Sequence, residues 1–441
     1  MIATVQATWR MVRAKVVSSQ FARHVGILTV ANFVNALLNF IQGILVARWL
    51  GPELYGIAAL IMSFPSLVYT FFDARSSEAS VKYLSEFHAR GERERALATC
   101  KMGYIVDFAI AFVAFLAVLV MSPWAARNIV HRPETVGLFV LYAAAFVPRA
   151  FVGSSYAVLA TLGRFPLIAI LDTSTTILRT VLILGLVLSG WRVAGVIWGN
   201  AVATAVMGML YGIIGYILVR QSWGGSWLSG RWQDLKGYRR AIVSFLAYND
   251  LNALLGMIPK QLDIVLLGYF RNPTEAGYYK LAKSLAGVVS YLVGPLQSVT
   301  YPQLVQMQTT ENRLAFRRKI KQLLTRVGLP LGCVFFIIGI IFASMLPVLV
   351  GRSYVRAVAI LQLFFLLAAW QTLFFWLRPA YMAIGKIKFF AFVSTVFTGV
   401  LVLGWVLATA QFGALGITVT TLLVSLGHVS YLTSWMFLRV H

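Results

Sequence analysis

Apolar residues run along this chain in long blocks separated by short polar stretches. Twelve blocks can be marked, at roughly 24–47, 56–80, 102–121, 134–162, 166–189, 193–219, 241–269, 275–307, 327–348, 357–384, 389–410 and 417–438. A helix needs about 20 apolar residues to cross a bilayer core, so each block predicts a transmembrane helix. Blocks well beyond that length predict tilt, kinks or protrusion. Pro65, Pro148, Pro259, Pro295 and Pro379 fall within blocks and are candidate kinks. The expectation is an all-α polytopic membrane protein. The stretch Leu50–Lys101 organises the pattern. It opens with the tight corner Leu50-Gly51-Pro52-Glu53-Leu54-Tyr55-Gly56, continues as the apolar run Ile57–Phe72, and ends in a charged loop, Lys82–Lys101. Ile57–Phe72 alone makes about 24 Å of helix, short of a full crossing, so the span must carry Asp73 and Arg75 into the membrane.

Composition sharpens this picture. Only 12% of residues are charged and 59% are hydrophobic, where a soluble domain holds about 25% charged residues. The net charge of +24 raises the question of nucleic acid. The basic residues, however, lie between apolar blocks, which fits a membrane face against anionic lipids and excludes nucleic acid. Of the 38 Lys and Arg, four precede the first block, and twenty lie in even-numbered connections and the C-terminus. Seven lie in odd-numbered connections: Arg48, Arg127, Arg132, Arg192, Arg271, Arg352 and Arg356. The bias of 24 to 7 predicts both termini in the cytoplasm, in a multi-pass protein of the cell inner membrane. Residues 1–23 are interrupted by Arg10, Arg13 and Lys15, which argues against a signal peptide. Ile2, Val5, Trp9, Val12 and Val16 recur at helical spacing, as an amphipathic interfacial segment would.

The expected organisation is that segment, a six-helix bundle at 24–219, a basic linker at 220–240 and a second six-helix bundle at 241–441. The two halves read as a repeat. Asn32, Asn35 and Gly51 fall on Asn249, Asn252 and Gly268 at an offset of 217. Leu162-Gly163-Arg164 falls on Ile384-Gly385-Lys386 at 222, and Ala194-Gly195-Val196 on Leu415-Gly416-Ile417 at 221. Six spans per half is an even number, so the repeat is parallel, about an axis along the membrane normal.

Polar residues inside the blocks mark candidate function. Asn32, Asn35, Asn39 and Gln42 lie at spacings of three, four and three, on one helical face. Amides facing lipid would stay unsatisfied, so the stripe faces helices or water. Interhelical glue is the bland alternative. Asn249, Asn252, Lys260 and Asp263 repeat the theme in the seventh block, where Lys260 and Asp263 suggest a local ion pair. Cations within blocks are Arg75, Arg149, Arg179, Lys260, Lys280, Lys283 and Arg378. Arg149 and Arg179 are central in theirs and are the strongest cavity-lining candidates. Lys280 and Lys283 are read equally well as snorkelling to headgroups. Asp172, seven residues before Arg179, is placed to pair with another span. The planar fork of Arg suits phosphate, which points to an anionic, phosphate-bearing cargo. Candidate substrate contacts are therefore Arg75, Arg149, Arg179, Asn35, Asn39, Asn252, Lys280, Lys283 and Arg378. Asp73, Asp250 and Asp263 are candidates for Na⁺ or H⁺ coupling.

Several classes are disfavoured. Outer connections of at most about a dozen residues leave no room for a soluble catalytic domain. His24, His88, His131, His428 and His441 are scattered and read as solvated or interfacial, with no metal-ligand spacing. No Walker motif is present. Cys100 and Cys333 are expected as free thiols. Neither cofactor nor metal is expected.

The corner Leu50–Gly56, Gln261-Leu262-Asp263 followed by Leu266-Leu267-Gly268, Ala276-Gly277-Tyr278-Tyr279 with Ala282, Tyr301-Pro302, and Ala414-Leu415-Gly416-Ile417 together resemble the polysaccharide-biosynthesis flippases. These include the Wzx-type O-antigen flippases of the multidrug/oligosaccharidyl-lipid/polysaccharide exporter superfamily. Ala74-Arg75-Ser76 departs from the glycine-rich pattern usual there. The resemblance implies two six-helix bundles around a V-shaped cavity. It also implies alternating-access transfer of a polyprenyl-diphosphate-linked oligosaccharide to the outer leaflet, for O-antigen or exopolysaccharide synthesis. The diphosphate would meet Arg, the sugars would meet Asn and Gln, and the prenyl tail would stay in lipid between the bundles. Other polysaccharide-assembly membrane proteins are expected partners. Rival readings are a multidrug or small-cation exporter of the same superfamily, and a membrane polysaccharide polymerase or ligase.

Overall fold

A computed structural model describes residues 2–72, 76–238, 240–242, 244, 260–309 and 313–439. Among the described residues the regular structure is entirely helical. Asp73, Arg75, Asn249, Asp250, Asn252 and Pro259 lie outside them. Seven segments are long and apolar enough to cross a membrane: Gly26–Phe72, Arg93–Asn128, Pro133–Thr161, Phe165–Trp223, Ala315–Leu349, Ala357–Ala383 and Ile387–Leu438. A straight helix over the 47 residues Gly26–Phe72 would run about 70 Å, far beyond a bilayer core. Helix α1 (Ile2–Phe72) is accordingly broken at Gly51, where φ is 74° and ψ 171°. That backbone is closed to side-chain-bearing residues, and Pro52 next to it lacks an N–H. The expected corner is therefore a change of chain direction between two arms of α1. The same device divides Phe165–Trp223 at Gly190 (φ 88°) and Ile387–Arg439 at Gly413 (φ 59°).

The remaining helices follow in order: α2 (Ser76–Ala89), α3 (Arg93–Asn128), α4 (Val136–Ala144), α5 (Phe146–Thr161), α6 (Phe165–Leu186), α7 (Arg192–Trp223), α8 (residues 260–270), α9 (Pro273–Ala286) and α10 (Val288–Thr309). The chain then continues through α11 (Arg313–Gln322), α12 (Leu329–Leu349), α13 (Ala357–Leu373), α14 (Leu377–Ala383) and α15 (Ile387–Arg439). Two prolines act as expected: α4 ends at Ala144, four residues before Pro148, and the break before α14 contains Phe375, four before Pro379. In each case proline cannot donate to the carbonyl four residues back. Pro65 and Pro295 lie inside continuous helices.

The charged stretch Lys82–Lys101, expected as a loop, is helical apart from a turn at residues 90–92. Its charges are compatible with helix because they pair locally, Arg90 with Glu86 at 2.7 Å and Arg95 with Glu92 at 2.6 Å. The basic stretch after α7 is not a free tether. Lys101 donates to the Gly230 carbonyl at 3.1 Å, Trp227 packs 4.9 Å from Tyr104, and Leu235 is buried.

Two turns singled out as repeats share one geometry. Gly163 (φ 68°) and Gly385 (φ 70°) end their helices in the left-handed region. The following residue donates five positions back in each case, Arg164 to Leu159 at 2.8 Å and Lys386 to Tyr381 at 2.9 Å, as in a Schellman cap. The outer corner packs on the start of α9. Gly56 packs its backbone on Pro273, so that an added Cβ would lie 1.7 Å from the Pro273 carbonyl oxygen. Gly277 packs on Pro52, with the equivalent distance 2.0 Å. Pro52 and Gly56 thus touch Gly277 and Pro273 reciprocally, at a common offset of 221. These contacts join α1 to α9 within the largest apolar core, which runs from Ile57 and Leu60 through Tyr279 and Ala282.

Candidate functional site

The polar stripe of α1 meets α6. Arg179 donates through Nη2 to the Asn39 Oδ1, and one residue on, Thr180 donates to the Gln42 Oε1 at 3.0 Å. Stripe positions 39 and 42 therefore run along the α1–α6 seam, as spacing three predicts for one helical face. Arg179 is half-buried, and its Nε is buried without a hydrogen-bond partner among the described residues. The Asn35 Oδ1 is in the same condition. No carboxylate among the described residues forms an ion pair with Arg179 or Arg149. Asp172 partners another span, as its placement suggested, accepting from the Tyr211 hydroxyl of α7 at 2.7 Å.

Arg149, on α5, is exposed and sits over the Tyr69 ring at 5.6 Å, a cation–π arrangement. Tyr69 packs 5.0 Å from Phe146, and Phe146 lies 5.6 Å from Tyr142. Tyr142 reaches the Ser66 hydroxyl at 3.4 Å. Helices α1, α4 and α5 thus build an aromatic cluster beneath Arg149, while Arg179 lies on the α1–α6 seam. Tyr69 and Tyr142 were not among the sequence candidates. The available signal was a tyrosine in mid-span, whose hydroxyl needs a partner in an apolar medium.

The second half uses its charges differently. Asp263 is 1% exposed. Its Oδ1 accepts from the Ile264 amide at 2.8 Å, and its Oδ2 accepts from the Tyr279 hydroxyl at 2.7 Å and from Lys283. The expected Lys260–Asp263 pair is therefore replaced by Lys283–Asp263. Lys260 contributes only its carbonyl, to Lys283 at 2.8 Å. The reason is geometric: α9 packs on α8, and Lys283 faces Asp263 across that contact. Both groups are committed to each other. Lys280 is half-buried on the same helix, and Arg378 is exposed beside Pro379. No contact among the described residues joins Lys280, Lys283 or Arg378 to the Arg149–Arg179 group.

A further polar cavity of about 250 Å³, between α10 and α13, is lined by Ser290, Gln297, Gln371 and Thr372; sequence reasoning did not select these residues. His428 is half-buried and contacts the Ser394 hydroxyl at 3.1 Å beside two Phe rings, Phe390 and Phe397. Cys100 is buried and Cys333 exposed, and both are free.

This architecture resembles solved transporters. An inward-facing multidrug resistance MATE family transporter of the MOP superfamily superposes with a TM-score of 0.70 at 14% identity, over 92% of this chain and 94% of that one. The lipid II flippase MurJ in an inward closed conformation gives 0.70 at 14% identity, over 93% and 86%. A Vibrio cholerae MATE transporter, VcmN D35N, gives 0.61 at 16%, over 96% and 98%. At these identities the likeness establishes the fold alone, the one that these MOP-superfamily transporters share. No sequence among curated proteins matches. The family model described as polysaccharide biosynthesis protein matches residues 21–308, most of the chain, and the protein is a member of that family.

Proposed function

We propose that the protein is a flippase. It carries a polyprenyl-diphosphate-linked oligosaccharide from the inner to the outer leaflet of the cytoplasmic membrane by alternating access, for cell-surface polysaccharide synthesis. The observation that carries this reading is Arg179 at mid-span, hydrogen-bonded to an amide, with a buried Nε left open and no carboxylate partner among the described residues. An Arg kept at that depth only for structure would be expected to sit against a carboxylate. One left to amides and aromatic rings is available to phosphate. Arg149 over Tyr69 supplies a second cation, and Asn35 and Asn39 suit sugar hydroxyls. An apolar groove of about 510 Å³ between the halves, lined by Phe64, Phe71, Trp124 and Tyr269 among others, fits the prenyl tail.

We read the chain as twelve spans in two six-helix halves, 24–219 and 241–441, with 220–240 joining them and 1–23 on the inner surface. The matched Gly163 and Gly385 caps and the reciprocal Gly56–Gly277 contact support the repeat. The Gly56–Gly277 contact closes the side carrying the weakly basic connections. Together with two neighbours in inward conformations, it supports an inward-facing state with both termini cytoplasmic.

The likeness to MATE transporters supports a rival, export of drugs or small cations. That rival needs carboxylates for its cargo, and Asp263 is already taken by Lys283. The test is to change Arg149 and Arg179 singly to Ala and measure translocation of the lipid-linked oligosaccharide at matched protein levels. Each variant should lose most activity, and unimpaired transport in both would end the assignment.

A further inference from the structure

The seam between α1 and α6 continues below the Asn39–Arg179 contact as a second, separate feature. A groove of about 670 Å³ is lined on α1 by Arg23, Gly26, Ile27, Val30, Ala31 and Val34, and on α6 by Ala169, Ile170, Thr173 and Ser174. Its walls are apolar and open: Val30 is 63% exposed and Ile170 61%. Arg23, Ile27, Val30 and Val34 follow spacings of four, three and four, a single helical face adjacent to the amide stripe. Leu28 packs with Ile168, Leu171 and Tyr211, which sets the lower part of α1 level with the start of α6. Arg23 therefore lies at the mouth of the groove. The exposed Arg164 sits immediately before α6.

We infer that this groove is the inner-leaflet entry site of the carrier lipid, with the polyprenyl chain along its walls and the phosphate against Arg23. The inference rests on the flippase reading and adds to it the place where cargo is first held. Three features favour this occupant. The groove combines an apolar trough with one cation at the expected headgroup level, the pattern that takes a phosphate-bearing lipid. Among the described residues, the hydroxyls of Thr173 and Ser174 are the other polar side chains lining it. The same two helices form the Arg179 site above. Arg23 to Asn39 is sixteen residues and Arg164 to Arg179 fifteen, about 24 and 22 Å of rise. A phosphate held at the lower end is thereby aligned with the cation about midway across the membrane. An ordinary phospholipid would use the lower half alone.

The test uses the full-length protein in detergent micelles. Native mass spectrometry follows binding of a sugar-free polyprenyl monophosphate, with phosphatidylglycerol as competitor. Arg23→Ala and the groove-filling Ala169→Trp should each weaken binding roughly tenfold or more, the worth of one charge-assisted hydrogen bond. Arg23→Lys should restore most of it, and Arg356→Ala, at the opposite surface, should bind as the parent does. Unchanged binding in Arg23→Ala and Ala169→Trp overturns the inference. So does equal displacement by phosphatidylglycerol at equal concentration, which makes the groove a general phospholipid site. Proteoliposomes separate this from the broader reading. A parent protein that binds the prenyl phosphate in the groove but moves no lipid-linked oligosaccharide refutes the flippase function. Normal translocation with no groove dependence refutes only the entry site.

Discussion

At the residue scale, the two halves spend their charges in opposite ways. Arg179 and Arg149 are held by an amide and by a ring, whereas Lys283 is held by the carboxylate of Asp263, whose side chain is 2% exposed. Removing one member of a buried pair strands the other, at a cost of about 3–5 kcal/mol. Lys283→Met strands a carboxylate that is 2% exposed and is expected at the high end of that range, whereas Asp263→Asn strands Lys283, 30% exposed, and is expected at the low end. The double variant should be less damaging than the sum, because no charge is then stranded. Thermal unfolding of the purified protein reads this directly. A full-stability Asp263→Asn variant would show that the carboxylate is there for ion coupling and not for the α8–α9 joint. This pair also marks a limit of the sequence. Lys260 and Lys283 both lay within a turn or two of plausible partners, and spacing along one helix favoured Lys260. Which lysine wins depends on how α9 packs over α8, a relation between helices that no local pattern encodes.

Helices and their joints were largely legible, because a membrane leaves the backbone little choice. The apolar blocks, the Gly51 corner, the Gly163 and Gly385 caps and the proline breaks near Pro148 and Pro379 all follow from local chemistry. What escaped notice at this scale was contact between elements. The charges of Lys82–Lys101 suggest a solvated loop, yet the pairs Glu86–Arg90 and Glu92–Arg95 let those charges sit on helices. The cluster of Tyr69, Tyr142 and Phe146 is invisible in a list of apolar residues. The reciprocal Gly56–Gly277 packing makes a prediction of its own. A Cβ at Gly56 would fall 1.7 Å from a backbone oxygen, so the two helices must part to accept a side chain. Gly56→Leu should therefore shift the population toward the outward-open form. In a background lacking Cys100 and Cys333, Ala276→Cys, fully buried beside the contact, should react with an impermeant maleimide from outside only when Gly56→Leu is present. Equal protection in both proteins, with the variant folded, would show that the glycine pair is no gate.

For the whole molecule, the proposed function raises the question of what would drive a charged headgroup across. Nothing in the chain reads as a nucleotide-hydrolysing motif, and Asp263 is committed to Lys283. The membrane potential remains: moving one elementary charge across 100 mV is worth about 2.3 kcal/mol. A diphosphate with two negative charges leaving a negative interior would gain about twice that. Under the proposed function, arginines fixed on helices would return with them, so their charge would cancel over a full cycle and the net charge moved would be that of the lipid. Proteoliposomes holding an inside-negative potassium diffusion potential should then accumulate lipid-linked oligosaccharide in the outer leaflet. The ratio should grow steeply between zero and 100 mV and collapse when the potassium gradient is removed. The monophosphate carrier, with fewer charges, should respond more weakly. A leaflet ratio indifferent to potential but responsive to a Na⁺ or proton gradient would mean that a compensating cation moves with the cargo. Asp73 and Asp250, the other acidic candidates in the sequence, would then be the residues to substitute.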